Sequence, residues 1–263
     1  PPLVATLLLD FLTIDEAAET VSAIIAAGIL PAALELMDQQ VVAAVEPFVH
    51  AGYPMDAAAV LIVELDGLPA GIDDQVRRID DLARSHGARE VRRAADADER
   101  ERIWKGRKSA FGAIANLKPD YYLNDTVIPR SRLAEVLAGI QEAVDRHDLL
   151  IMNVFHAGDG NLHPLIVYDA RDAEETARVL EVGEEIVRLA IDAGGVLSGE
   201  HGIGLEKRRF MGLQFSPEDL EAQGRLRRAF DPDGIANPAK VLPSGASCGH
   251  VTSLGRIPEG TWV

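Results

Sequence analysis

His156 and His163 bracket a glycine-rich turn in Asn153-Val-Phe-His-Ala-Gly-Asp-Gly-Asn-Leu-His163. Gly158-Asp159-Gly160-Asn161 favours a tight loop, because Gly and Asn tolerate positive φ and Asp caps turns. Apolar runs flank it, Leu149 to Phe155 and Leu162 to Tyr168, so the segment reads as a β-hairpin. With residues 158–161 as the loop, His156 is expected directly across the ladder from His163. Cross-strand partners share one face, with Cβ atoms about 5 Å apart. Two imidazoles so placed converge on one divalent ion, each at about 2.1 Å.

A third ligand is expected from Gly199-Glu-His-Gly-Ile-Gly204, whose glycines allow a sharp bend close to a ligand. Glu200 would supply a hard oxygen, giving a His-His-carboxylate set with an open coordination position. Open positions mark catalytic rather than structural sites. On an extended backbone the next side chain diverges, so His201 is expected beside the ion instead of on it, suited to taking a proton near neutrality. A cation that polarises a hydroxyl, next to an imidazole that deprotonates it, suits alcohol oxidation. Each piece alone is unremarkable, since a single strand histidine usually packs or faces solvent. Their combination indicates function. His50, His86, His147 and His250 fall at helix ends or in loops and are expected to be solvated.

The elements that must hold these groups follow from periodicity and caps. The first part reads strand Ala5–Leu12, helix Asp15–Ala27, strand Ala33–Met37, a short helix to His50, strand Ala59–Asp66, helix Pro69–His86 and strand Ala88–Ala94. Without the short helix this is β-α-β-β-α-β, the ferredoxin-like order. A helix over Asp96–Leu117 links to a looser repeat: strand Tyr121–Ile128, helix Ser131–His147, the two hairpin strands, helix Asp172–Ala193 and a short strand at Gly195–Ser198. Helices near Leu205–Leu213 and Pro217–Phe230 follow, then an extended Asn237–Pro243. The fold class is α+β, with two ferredoxin-like halves around antiparallel sheets and C-terminal helices. The domains divide as 1–95, the first half; 96–243, the second half carrying the metal and substrate site; and 244–263, a Gly/Ser/Pro-rich tail.

Composition narrows the function further. The 263 residues carry a net charge of −16, which argues against a nucleic-acid partner. A basic stretch from Arg84 to Lys108 breaks the acidic trend. Most of it reads as a solvated helix face, with one or two members able to meet an anionic substrate. A lone cysteine, Cys248, leaves no disulfide framework or thiolate site. No apolar run approaches the length of about 18 residues needed to span a membrane, and the cytoplasm is the default expectation.

Three ordered motifs carry a resemblance: His156-Ala-Gly-Asp-Gly-Asn-Leu-His163, Gly199-Glu-His-Gly-Ile-Gly204 with Glu206-Lys207-Arg208, and Asn237-Pro-Ala-Lys240-Val-Leu-Pro243. Together the motifs resemble the C-terminal domain of FAD-linked oxidases in the vanillyl-alcohol oxidase superfamily. The chain is most similar to the branch that holds glycolate oxidase and D-lactate dehydrogenase flavoproteins. The likeness runs from Val4 to Pro243 and includes Trp104-Lys-Gly-Arg107-Lys-Ser-Ala-Phe111 and Pro119-Asp-Tyr-Tyr122. It implies a flavoprotein oxidising a small D-2-hydroxy acid. By position, His156, His163 and Glu200 would hold a divalent metal, commonly zinc. His201 would be the general base, and Arg107 would pair with the substrate carboxylate, as a guanidinium does through bidentate geometry. Asn237 and Lys240 would turn towards the flavin. It also implies work alongside flavin and iron–sulfur partner subunits, through which the protein would lie peripheral to the inner membrane, and allows a homo-oligomer.

Two departures from related patterns bear on substrate and activity. Related D-2-hydroxyglutarate dehydrogenases carry a lysine near Leu123 and an asparagine at Leu165, groups that hold a second carboxylate. Apolar residues here favour a monocarboxylate such as glycolate or D-lactate. No Gly-x-Gly-x-x-Gly or other pyrophosphate cradle occurs, so FAD is expected to be held mainly by an N-terminal domain outside this chain, which alone would be inactive. Two other classes compete: a metal-dependent hydrolase using the same His-His-Glu set, and a non-catalytic subunit-assembly domain.

Overall fold

A computed structural model of the protein describes residues 3–243; the tail expected at 244–263, with Cys248 and His250, lies outside them. The chain divides into two compact units, Pro1–Val196 and Leu197–Val263.

The first unit is built on one antiparallel sheet. Strands β1 (Leu3–Phe11), β2 (Ala33–Asp38), β3 (Ala59–Gly67) and β4 (Glu90–Arg93) alternate with helices α1 (Ile14–Ala26), α2 (Gln39–Val49) and α3 (Pro69–Ser85). After α4 (Ala97–Ile114) come β5 (Asp120–Leu123), β6 (Thr126–Val127), α5 (Leu133–Arg146), β7 (Leu150–Phe155), β8 (Asn161–Leu162), β9 (Pro164–Tyr168) and α6 (Ala173–Asp192). Seven strands run in the order β4-β1-β3-β2-β7-β9-β5. The first four reproduce the ferredoxin-like order, and β5-β9-β7 repeats the arrangement of its first three strands in sequence, 1-3-2. The fourth strand expected at Gly195–Ser198 is reduced to one bridge, Val196 to Val127.

Nearly continuous apolar runs such as Leu7-Leu-Leu9 and Val60-Leu-Ile-Val63 suit a sheet covered on both faces. One face packs against α1, α3, α5 and α6 through Leu9, Leu36, Leu61, Phe155 and Ile166. The other packs against α2 and α4 through Met37, Val60, Ile62, Met152 and Leu165. Thr13 and Glu16 form a capping box at α1, and Asp96 caps α4, which sets the helix starts where the sequence places them.

The two half-sheets meet at a short seam, with Leu36 opposite Phe155 and Met37 opposite Val154. Asp38 locks one end of it. Its carboxylate caps α2 by accepting from the Val41 N–H at 2.9 Å, and accepts from the backbone and side-chain N–H groups of Asn153 at 2.6 and 3.0 Å. Burial pushes its pKa up to about 6, against the downward pull of those hydrogen bonds. A carboxyl raised on folding is favoured in its protonated form, so this contribution is full below the unfolded value of about 3.9 and lost as pH rises through about 6. Relative to Asp38→Asn, the wild type should therefore lose on the order of 3 kcal/mol of stability between about pH 4 and about pH 7. Urea unfolding across that range checks it, and a constant difference between the two proteins would refute it.

The expected strand Tyr121–Ile128 is broken at Asn124-Asp125. Asn124 donates its N–H to the Pro164 carbonyl, while Asp125 turns inward and is fully buried. β6 then pairs with β8 in a separate two-stranded ladder.

In the second unit, Lys207–Phe210 is a 3-10 turn leading into α7 (Met211–Gln214), followed by α8 (Pro217–Phe230) with a Ser216–Asp219 capping box. The segment Asn237–Pro243, expected to be extended, is not. Asn237, Ala239 and Val241 have positive φ, because neighbouring guanidinium groups draw their carbonyls inward. Arg227 donates to the carbonyls of Asn237 and Lys240 at 2.8 and 3.1 Å, and Arg208 donates to that of Ala239 at 2.6 Å.

Candidate active site

The hairpin turn lies one residue earlier than its glycines suggest. Ala157–Asp159 forms a 3-10 turn, Gly160 adopts the left-handed conformation, and His156 bridges to Asn161 instead of His163. With Asn153 opposite Pro164, His163 sits diagonally from His156 but on the same face. Diagonal neighbours are still within reach of long or aromatic side chains. The two rings meet edge to face with centroids 5.5 Å apart.

Gly160 is required there twice over. Its φ is +69°, and a Cβ would lie 2.3 Å from the Ile128 carbonyl oxygen, close to the point where the Ile128 N–H donates to the Gly160 carbonyl at 2.9 Å. Gly160→Ala is expected to cost on the order of 2 kcal/mol or more, read as a lower urea midpoint. An unchanged midpoint would count against this placement of the turn.

Each ring is backed by an acid that the sequence reading did not single out. Glu35, on β2, accepts a hydrogen bond from His156 Nδ1 at 2.7 Å. Its other oxygen accepts from Arg107 Nε and pairs with Nη2, both at 3.0 Å. Asp125 Oδ1 lies 3.5 Å from His163 Nε2. With its amide nitrogen turned inward, Asn161 donates to the same oxygen at 2.8 Å and to the Thr126 carbonyl at 3.2 Å. Glu35, Asp125, Asn161 and His163 are all buried. Arg107 is buried too, only 8% exposed, so it is not part of the solvated helix face that α4 otherwise presents. The sequence held a faint signal for both acids, in that Glu35 interrupts Ala33-Leu-Glu-Leu-Met37 and Asp125 interrupts an apolar strand. An acid inside a buried strand calls for a partner.

A cleft of about 310 Å³ opens beside this cluster, lined by Leu30, Pro31, Leu34, Glu35, Arg130 and His156. That is at the small end of ligand-site volumes. Arg130 donates to the Gly158 carbonyl at 2.9 Å and braces the turn. On the α2 and α4 face, Leu123 pairs with Leu165 across β5 and β9, and both pack in the apolar cluster there.

Glu200 and His201 belong to the second unit, where their side chains lie 3.5 Å apart and about half exposed. The loop before them is held by Lys207, a buried lysine donating to the Leu197 carbonyl at 2.9 Å, and by Ser198, whose hydroxyl accepts from the Gly202 N–H at 2.8 Å. Asn237 and Lys240 are exposed, with Lys240 Nζ 3.4 Å from Asn237 Oδ1. Of the other histidines, His50 is exposed, while His86 and His147 are partnered by the Leu82 carbonyl and by Glu185, so these two are not simply solvated.

Residues 1–241 match the family of FAD linked oxidases, C-terminal domain. The chain belongs to this family. It is 46% identical over 262 residues to the "Glycolate oxidase subunit GlcD" of Escherichia coli (strain K12), a match covering 98% of this chain and 52% of that protein. It is 31% identical over 235 residues to a "Probable D-lactate dehydrogenase, mitochondrial" of Danio rerio, covering 89% of this chain and 47% of the relative. This FAD-linked oxidase domain thus spans about half the length of the curated relatives it matches. Its fold is shared with p-cresol methylhydroxylase solved with substrate bound, at a TM-score of 0.72 and 14% identity, over 92% of this chain and 53% of that one. Among the described residues no helix is long and apolar enough to cross a membrane.

Proposed function

We propose that this domain is the substrate-side half of an FAD-dependent dehydrogenase or oxidase acting on a small D-2-hydroxy acid. The observation that carries the reading is the pair of imidazoles on one face, each backed by a buried carboxylate, in a member of the FAD-linked oxidases. Names of relatives that mention glycolate and D-lactate support the substrate class. Ester or amide hydrolysis, which the donor set alone would allow, has no such support.

In this reading His156, His163 and Glu200 hold a divalent cation, zinc being a chemical fit for two imidazoles and one carboxylate. The fit rests on the donor chemistry. A carboxylate only accepts, so Glu35 fixes the proton of His156 on Nδ1 and leaves the lone pair on Nε2. Asp125 Oδ1, 3.5 Å from Nε2 of His163, adds a buried negative charge beside the second ring. Bound flavin would supply the hydride acceptor, and the cation would polarise the substrate hydroxyl. His201 takes the C2-hydroxyl proton, and Arg107 pairs with the substrate carboxylate. The paired Leu123 and Leu165 offer nothing to a second carboxylate, so the preferred substrate has one. Asn237 and Lys240 face the flavin. Partner subunits carrying flavin and iron–sulfur centres, a cytoplasmic location and attachment to the inner membrane through those partners belong to the same proposal. The description of the Escherichia coli relative as a subunit supports the partners.

A screen of glycolate, D-lactate and D-2-hydroxyglutarate with a dye acceptor, before and after chelation, tests it. Reduction by the two monocarboxylates that chelation abolishes is the expected result. Preference for the dicarboxylate, or turnover indifferent to chelation, would overturn it.

A further inference from the structure

We propose that Glu35 is the positioning residue of this site, one buried carboxylate that fixes both the His156 imidazole for metal ligation and the Arg107 guanidinium for the substrate. The inference rests on the metal reading above and adds a role to it.

Glu35 comes from the first half-sheet and His156 from the second, and the seam brings them together. One step beyond the pair Leu36–Phe155, the same register sets residue 35 opposite residue 156, and the side chains meet there at 2.7 Å. Arg107 approaches from α4, which covers that face of the sheet. The two oxygens of Glu35 are divided between two partners, Oε1 to His156 and Oε2 to Arg107. A proposed metal ligand and a proposed substrate anchor are thereby oriented by a residue that need not touch metal or substrate. Stability alone gives little reason for such a trio, because buried ion pairs often do no better than apolar packing of equal volume. Here two of the three, Glu35 and His156, line a cleft, where orientation matters.

The arrangement depends on Glu35 accepting on both sides. In Glu35→Gln the oxygen can serve only one partner. If it stays with Arg107, the amide N–H faces His156 Nδ1, which must then accept, moving the imidazole proton to Nε2. The nitrogen proposed to ligate would be capped by hydrogen.

Two measurements on the purified, metal-stripped full protein test this. Nitrogen-15 NMR of His156 in the wild type should show the Nδ1-protonated tautomer, whereas an Nε2-protonated ring would overturn the proposal without recourse to any variant. Competition with a chromophoric chelator should show zinc bound about 10- to 100-fold more weakly by Glu35→Gln, at an unchanged far-ultraviolet spectrum. Zinc binding by the wild type with equal affinity in Glu35→Gln would overturn the role of Glu35 and leave the metal reading standing. Absence of stoichiometric zinc binding by the wild type would overturn both.

Discussion

Replacing His156 by alanine in the flavin-loaded enzyme is expected to remove metal and turnover together, whereas His201→Ala should keep the metal and lose turnover. The two imidazoles sit in different chemical settings. His156 is anchored at Nδ1 by a buried carboxylate, an arrangement that holds the ring in one tautomer, as the proposed metal role requires. His201 is about half exposed on a glycine-framed loop, as suits the proton-exchanging role proposed for it. Loss of a general base costs about 10²- to 10⁴-fold in rate. Zinc content by elemental analysis, read beside turnover, separates the two roles. Equal metal loss in both variants would refute the division of labour, as would full activity in either.

Arg107→Ala should destabilise the fold by about 3–5 kcal/mol, because it leaves Glu35 buried without its cation. Arg100 provides the contrast. It pairs with Glu64 at 2.8 Å, but its side chain is 43% exposed, and Glu64 retains Trp104 Nε1 and Thr6 Oγ1 as donors. Arg100→Ala is therefore expected to cost no more than about 1 kcal/mol. Urea denaturation of both variants tests the comparison. Similar losses would mean that the burial of Arg107 carries no special weight. A conservative Arg107→Lys should recover part of the stability, since a charge remains, while failing to restore the two-nitrogen contact with Glu35.

Local signals in the sequence were enough for most elements. Apolar runs mark the strands, and helix starts expected at Asp15, Asp96 and Asp172 fall within a residue of the observed ones. The ferredoxin-like order of the first half was legible because the short α2 could be set aside as an insertion. The histidine pair was legible for the same reason, since a hairpin is a local structure. Its register was not. The glycines allow the turn to begin at either of two residues, and packing of Gly160 against Ile128 decides between them. Glu35 and Asp125 escaped notice because their meaning lies in pairing across the chain. Nothing near Glu35 in sequence announces His156, whose partnership depends on two half-sheets joining edge to edge. Asn237–Pro243 misled in another way. Its prolines suggest extension, but Arg208 and Arg227 curl it by gathering its carbonyls.

The seam between the half-sheets has a consequence for anyone recombining parts among relatives. Only two residues from each strand are paired there, and side chains alternate between faces along a strand, so slippage by a single position would turn Glu35 away from His156. A chimera that borrows its first ninety or so residues from a cousin would import one member of the Glu35–His156–Arg107 cluster along with what looks like inert scaffolding. Crossover points placed after α4 would keep the acid, the arginine and the stretch between them from a single parent.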